Sequence, residues 1–80
     1  MARVLLFGPL ADQAGWRERD IAADTLNALV EQISQTDPAL GTSLIGPGVQ
    51  VALNQAITRD FSAWLSPTSE VAFLPPMSGG

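Results

Sequence analysis

The C-terminal stretch reads Glu70-Val71-Ala72-Phe73-Leu74-Pro75-Pro76-Met77-Ser78-Gly79-Gly80, and it holds both a strand and the strand's abrupt end. Residues 70–74 have the apolar, β-prone composition of a strand, and two prolines, which cannot donate to a sheet ladder, close it. Residues 77–80 show no apolar periodicity and finish on two residues without a Cβ. This divides the chain into a folded unit, 1–74, and a flexible tail, 75–80. Six residues at about 3.3 Å each give the tail a reach of roughly 20 Å. Prolines keep its base extended, and glycines allow its tip through a channel too narrow for side chains.

Upstream, Val49-Gln50-Val51-Ala52-Leu53 alternates as a half-buried strand does, and Asn54-Gln55 can turn the chain back into Ala56-Ile57-Thr58, because Asn tolerates positive φ. Residues flanking such a turn pair and point the same way, so Ala56 is expected inward with Leu53, Val51 and Val49, and Ile57 outward. Phe61 to Leu65 reads as a short turn-like segment and Ser66-Pro67-Thr68-Ser69 as a turn. Leu26, Leu29, Val30 and Ile33 fall at i, i+3, i+4 and i+7 and predict the one long helix, capped by Asp24 or Thr25 and ended near Thr36 by Pro38. Residues 37–48, rich in Gly and Pro, predict an irregular connection with at most one helical turn around 39–44 and no chemistry. At the start, Ala2 to Gly8 is a first strand. With Arg3 outward, Val4 and Leu6 face the core and Leu5 and Phe7 the opposite side. A turn over Asp12 to Gly15 leads to a polar second strand, Trp16 to Ile21, expected at a sheet edge.

The order strand, strand, helix, strand, short strand, strand predicts an α+β domain: one mixed sheet of about five strands with one main helix across one face, the β-grasp or ubiquitin-like arrangement. Leu5, Phe7, Ile57, Ala72 and Leu74 then share the face opposite the helix, where they predict a docking patch. Trp16 and Trp64 are expected to cover core surface, as Trp in a small domain usually does.

Composition excludes most chemistry. Eighty residues make one domain, able to bury only roughly 60–65 % of its unfolded surface. The 46 % hydrophobic and 15 % charged content is that of a folded chain. A net charge of -4, with four Arg and no Lys, argues against a nucleic-acid partner, which needs clustered basic side chains. Without Cys or His there is no disulfide, no thiolate or imidazole metal site and no base to activate Ser62, Ser66, Ser69 or Ser78. Asp12, Glu18, Asp20, Asp24, Glu31, Asp37, Asp60 and Glu70 are scattered rather than paired for acid–base work. The α-carboxylate of Gly80, sterically open, is the reactive group that remains. The apolar run at the N-terminus stops at Gly8-Pro9, too short for a signal peptide, and nothing approaches the ~20 apolar residues of a membrane span, so a cytoplasmic location is expected.

Nearly the whole chain resembles the MoaD-type small subunit of molybdopterin synthase, a sulfur carrier of the MoaD/ThiS ubiquitin-like family. The resemblance is carried by Val4-Leu5-Leu6-Phe7-Gly8, by the Ala52-Leu53-Asn54-Gln55 turn and above all by residues 70–80. It implies that an E1-like enzyme adenylates the Gly80 carboxylate with ATP and that sulfur then replaces AMP to give a thiocarboxylate. The loaded carrier would dock on a large subunit in a heterotetramer. That subunit would hold the catalytic residues, and sulfur would pass to the pterin precursor. The chain itself would be a non-catalytic, sulfur-donating subunit with no permanently bound cofactor. The resemblance also implies that Phe7, Ile57 and Leu74, with Pro75, Pro76, Met77 and Ser78 of the tail, contact partners, and that Gly79 accompanies Gly80 into the active sites. Pro67-Thr68-Ser69 replaces an Asp-Gly-Asp-like turn frequent in the family. Two alternatives stay open: a carrier for thiamine thiazole, cysteine or tRNA thiolation, and a ubiquitin-like modifier of lysines. Deleting Gly79 and Gly80 is expected to abolish sulfur loading while leaving the melting temperature nearly unchanged, because a protruding terminus buries nothing; a large fall in melting temperature would contradict a free tail.

Overall fold

The computed structural model describes residues 1–76. The expectations for Met77, Ser78, Gly79 and Gly80 lie outside the described residues. The elements run β1 (Ala2–Leu6), α1 (Pro9–Ala14), β2 (Glu18–Ile21), α2 (Leu26–Thr36), α3 (Pro38–Leu44), β3 (Gln50–Leu53), β4 (Ala56–Thr58) and β5 (Glu70–Leu74). The five strands form one sheet in the order β2-β1-β5-β3-β4, in which β1 and β5 are parallel and the other pairs antiparallel. This mixed sheet with its helices is the β-grasp fold.

Period-two alternation decides which side of the sheet is buried. Val4 pairs with Val71 and Leu6 with Phe73 across β1 and β5, while Val51 pairs with Phe73 across β3 and β5. All five side chains are buried, and Phe73, at the centre, is fully enclosed. The predicted stripe Leu26, Leu29, Val30 and Ile33 of α2 closes over them and is buried throughout. Leu40 and Leu44 of α3 and Leu10 and Ala11 of α1 complete the same cluster.

The start of α2 is fully partnered. The Ala28 amide donates to the Thr25 hydroxyl (3.1 Å), and the amides of Leu26 and Asn27 donate to the carbonyls of Ala63 and Phe61. First-turn donors, which a helix cannot satisfy internally, thereby recruit the 61–65 segment. Asp37 ends α2 and caps α3, its carboxylate accepting from the Leu40 amide (3.1 Å) while Pro38 takes the first turn of α3. The connection is therefore a seven-residue helix with a buried face, more than the single turn expected from its Gly and Pro content.

Three other expectations need correction. The turn expected at Asp12 to Gly15 is the end of α1: Pro9 fills a first-turn position, where a missing N–H is harmless, and Gly15 closes the helix at φ 83. Trp64 does not cover the core but is 78 % exposed. The segment alternates, with Phe61 and Leu65 packed on the core and Ser62 and Trp64 turned to solvent, held so by a bridge between Thr25 and Trp64. Ala56 does pair with Leu53 but lies exposed, because β4 is the sheet's edge. Trp16 does pack on the core, with the Arg19 guanidinium 4.6 Å above its ring.

Replacing Phe73 by Ala is expected to destabilise the domain by about 3–5 kcal/mol in urea unfolding, since it empties the centre of the core. A loss below about 1 kcal/mol would show that the sheet does not depend on this packing.

Candidate functional site

The face of the sheet opposite the helices follows from register. In its middle row Leu5 pairs with Ala72, Ala72 with Ala52 and Ala52 with Ile57, an apolar line across four strands. One side of that row is charged: Asp20 pairs with Arg3 and Arg3 with Glu70, and the Arg3 Nε lies 3.3 Å from a Glu18 carboxylate oxygen. On the other side, toward the end of β5, the register carried one residue past Leu6 and Phe73 sets Phe7 beside Leu74. Along the β1–β5 seam the face therefore grades from charged to apolar toward the end of β5, while on the β3 side Leu74 pairs with the exposed, polar Gln50.

Phe7 is 45 % exposed and Ile57 55 % exposed, although both are large and apolar. Leu5, Ala52, Ala72 and Leu74 are half-buried. Phe7 and Leu74 are lateral neighbours, whereas Ile57 stands on the far flank with β3 between. Three strand spacings of about 4.8 Å separate β1 from β4, so the patch is about 14 Å wide. Ala52 was not singled out from the sequence. It fits the same outward parity, and its small side chain makes the row continuous.

The hairpin that carries Ile57 is tightly fixed. Asn54 and Gln55 sit at φ 50 and 71, the left-handed conformation a two-residue turn requires. Asn54 also braces β5: its amide donates to the Glu70 carbonyl (2.8 Å) and its side-chain oxygen accepts from the Glu70 amide (2.9 Å). This second role of Asn54 has no signal in the local sequence, since its partner lies 16 residues away.

At the exit, Pro75 is half-buried and Pro76 exposed. The proposed working residues beyond, Gly79 and Gly80 among them, follow outside the described region. Among the described residues no group of three or more His, Cys, Asp or Glu side chains could hold a metal, and no helix is long and apolar enough to cross a membrane. The sequence pattern of the ThiS family matches residues 4–80.

The chain belongs to the ThiS family. Its architecture is shared by solved ubiquitin-like proteins. The small archaeal modifier protein 1 of Methanosarcina acetivorans superimposes with a TM-score of 0.88 at 21 % identity, covering 99 % of this chain and 95 % of that one. The same-named protein of Haloferax volcanii gives 0.79 at 26 % identity, covering 99 % and 98 %. A chain from the complex of subunits 1 and 2 of the Helicobacter pylori molybdopterin-converting factor gives 0.71 at 25 % identity, covering 99 % and 97 %. No curated protein matches the chain. This ThiS-family protein thus stands among ubiquitin-like sulfur carriers and modifiers.

Because Ile57 is exposed on an edge strand, Ile57→Ser is expected to change unfolding stability by no more than about 0.5 kcal/mol. Thermal or urea unfolding checks this, and a loss of several times that size would place Ile57 in the fold's packing rather than on a free surface.

Proposed function

We propose that the chain is the sulfur-carrying small subunit of molybdopterin synthase. The observation that carries the proposal is the coincidence, at one end of β5, of the tail's point of departure with the exposed apolar side of the open face. A carrier must hold its partner with one surface and deliver its terminus with another. In this reading the two lie side by side at the end of β5. The family ending in Gly79-Gly80 and the 25 % identity to the H. pylori chain support the choice of pathway.

In this reading the Gly80 carboxylate attacks the α-phosphate of ATP on an E1-like enzyme, releasing pyrophosphate and leaving an acyl-adenylate. A sulfur nucleophile displaces AMP, and the resulting thiocarboxylate is presented to the large subunit. There the sulfur passes to the pterin precursor, water supplies the oxygen that restores the Gly80 carboxylate, and a second loaded carrier supplies the other sulfur of the dithiolene. Tethering raises the effective concentration of sulfur at the acceptor and keeps a reactive species from diffusing away. The chain contributes no acid or base of its own. Its part is to dock by Phe7, Leu74 and Ile57 and to lead Pro75, Pro76, Met77 and Ser78 into the active site.

A second reading, a modifier joined through Gly80 to target lysines, is favoured by the 26 % identity to the H. volcanii modifier over nearly the full length of both chains. Reconstitution separates the two. The thiocarboxylated chain, mixed with a molybdopterin synthase large subunit and the cyclic pyranopterin precursor, is expected to yield the dithiolene product. Isopeptide conjugates in place of that product would favour the modifier. Phe7→Ala and Leu74→Ala are each expected to weaken binding to the large subunit about tenfold or more in calorimetric titration, the effect of losing a central apolar anchor of about 2 kcal/mol. Unchanged binding by both variants would remove the docking face.

A further inference from the structure

We infer that Gly8 and Gly48 form a collar that aims the base of the tail, and that they are positioning residues for its delivery. Carrying the β1–β5 register two residues past Leu6 and Phe73 brings Gly8 beside Pro75. Carrying the β3–β5 register two residues past Gln50 and Leu74 brings Gly48 beside Pro76. The central strand would extend between these two neighbours, but prolines cannot continue its ladder, and their rings need lateral room. Glycine on both flanks supplies it.

The spacing is tight on both sides. A Cβ at Gly8 would lie 3.3 Å from the Pro75 Cγ. A Cβ at Gly48 would lie 2.8 Å from the Pro76 Cβ and 3.2 Å from its Cγ, closer than carbon atoms approach without displacement. Both glycines have positive φ, 55 and 84, so each loop also turns in a way that a side chain disfavours. Pro75 and Pro76 are thereby seated between two loops, in line with β5. Aiming is useful because a reacting group displaced by about 1 Å can lose roughly a hundredfold in rate.

The structure contains its own control for backbone strain. Gly15 has φ 83, almost identical to Gly48, yet a Cβ there would meet nothing within 4 Å. Gly15→Ala and Gly48→Ala should therefore lower thermal stability alike, while only Gly48→Ala pushes on the tail. A Pro76→Gly background distinguishes collision from strain, because it deletes the Cβ and Cγ that collide and leaves the Cα at an ordinary 3.6 Å.

The consequence for delivery rests on the carrier reading, so two readouts are needed. In NMR of the whole chain, a Gly48 Hα to Pro76 Hβ contact is expected in the native protein and in Gly15→Ala, and the Pro76 resonances should shift in Gly48→Ala. In sulfur loading by an activating enzyme, normalised to folded protein, Gly48→Ala should be slower by about tenfold or more, as a displacement approaching 1 Å implies. Gly15→Ala should load at the native rate, and Gly48→Ala should have no further effect in the Pro76→Gly background. The collar is overturned if the NMR contact is absent, if Gly48→Ala and Gly15→Ala load equally, or if Pro76→Gly fails to suppress the difference. If the native chain accepts no sulfur at all, the carrier reading falls, while the contact and its response to Gly48→Ala still decide the collar.

Discussion

The parallel pairing of β1 with β5 is the constraint from which the rest of the architecture follows. Parallel neighbours cannot be joined by a tight turn, so everything between them, β2, the three helices and the β3–β4 hairpin, is one long excursion that must return to the same sheet. The excursion places its apolar side chains on one face, around Phe73 and Val71, and leaves the other face without a helix. It also puts β5 at the sheet's centre, bonded to β1 on one side and β3 on the other. β5 is thus among the best-anchored parts of the molecule.

The same pairing organises the open face. Because β1 and β5 run together, Arg3 and Glu70 lie side by side at their starts and Phe7 and Leu74 at their ends. Along this seam charge gathers at the start of the two strands and apolar surface at their ends, with polar Gln50 beside Leu74 on the β3 side. Exposed ion pairs such as Arg3 with Glu18 contribute little stability. They keep that end of the sheet solvated.

Much of this was legible in the residues because local pattern and tertiary environment agreed. The stripe at Leu26, Leu29, Val30 and Ile33, the strand parity set by Arg3, and the left-handed turn at Asn54-Gln55 each have a period or a conformational requirement that points one way. What escaped detection depended on partners distant in sequence. Pro9 looked like a strand terminator and is also the opening residue of α1, a choice that depends on whether Leu10 and Ala11 find a core to enter. Trp64 was expected inside because of its size, but the alternation of Phe61, Ala63 and Leu65, fixed by hydrogen bonds to the start of α2, turns it outward. Gly8 and Gly48 read as loop punctuation until the register places both against the prolines.

In the carrier reading the working group is the C-terminal carboxylate rather than any side chain of the folded domain. Intact-mass spectrometry of the chain after incubation with an E1-like enzyme, ATP and a sulfur source, followed by fragmentation of the C-terminal peptide, decides between the two. One oxygen should be replaced by sulfur, with the change localised to Gly80. Sulfur found on a side chain, or still incorporated after Gly80 is removed, would contradict it.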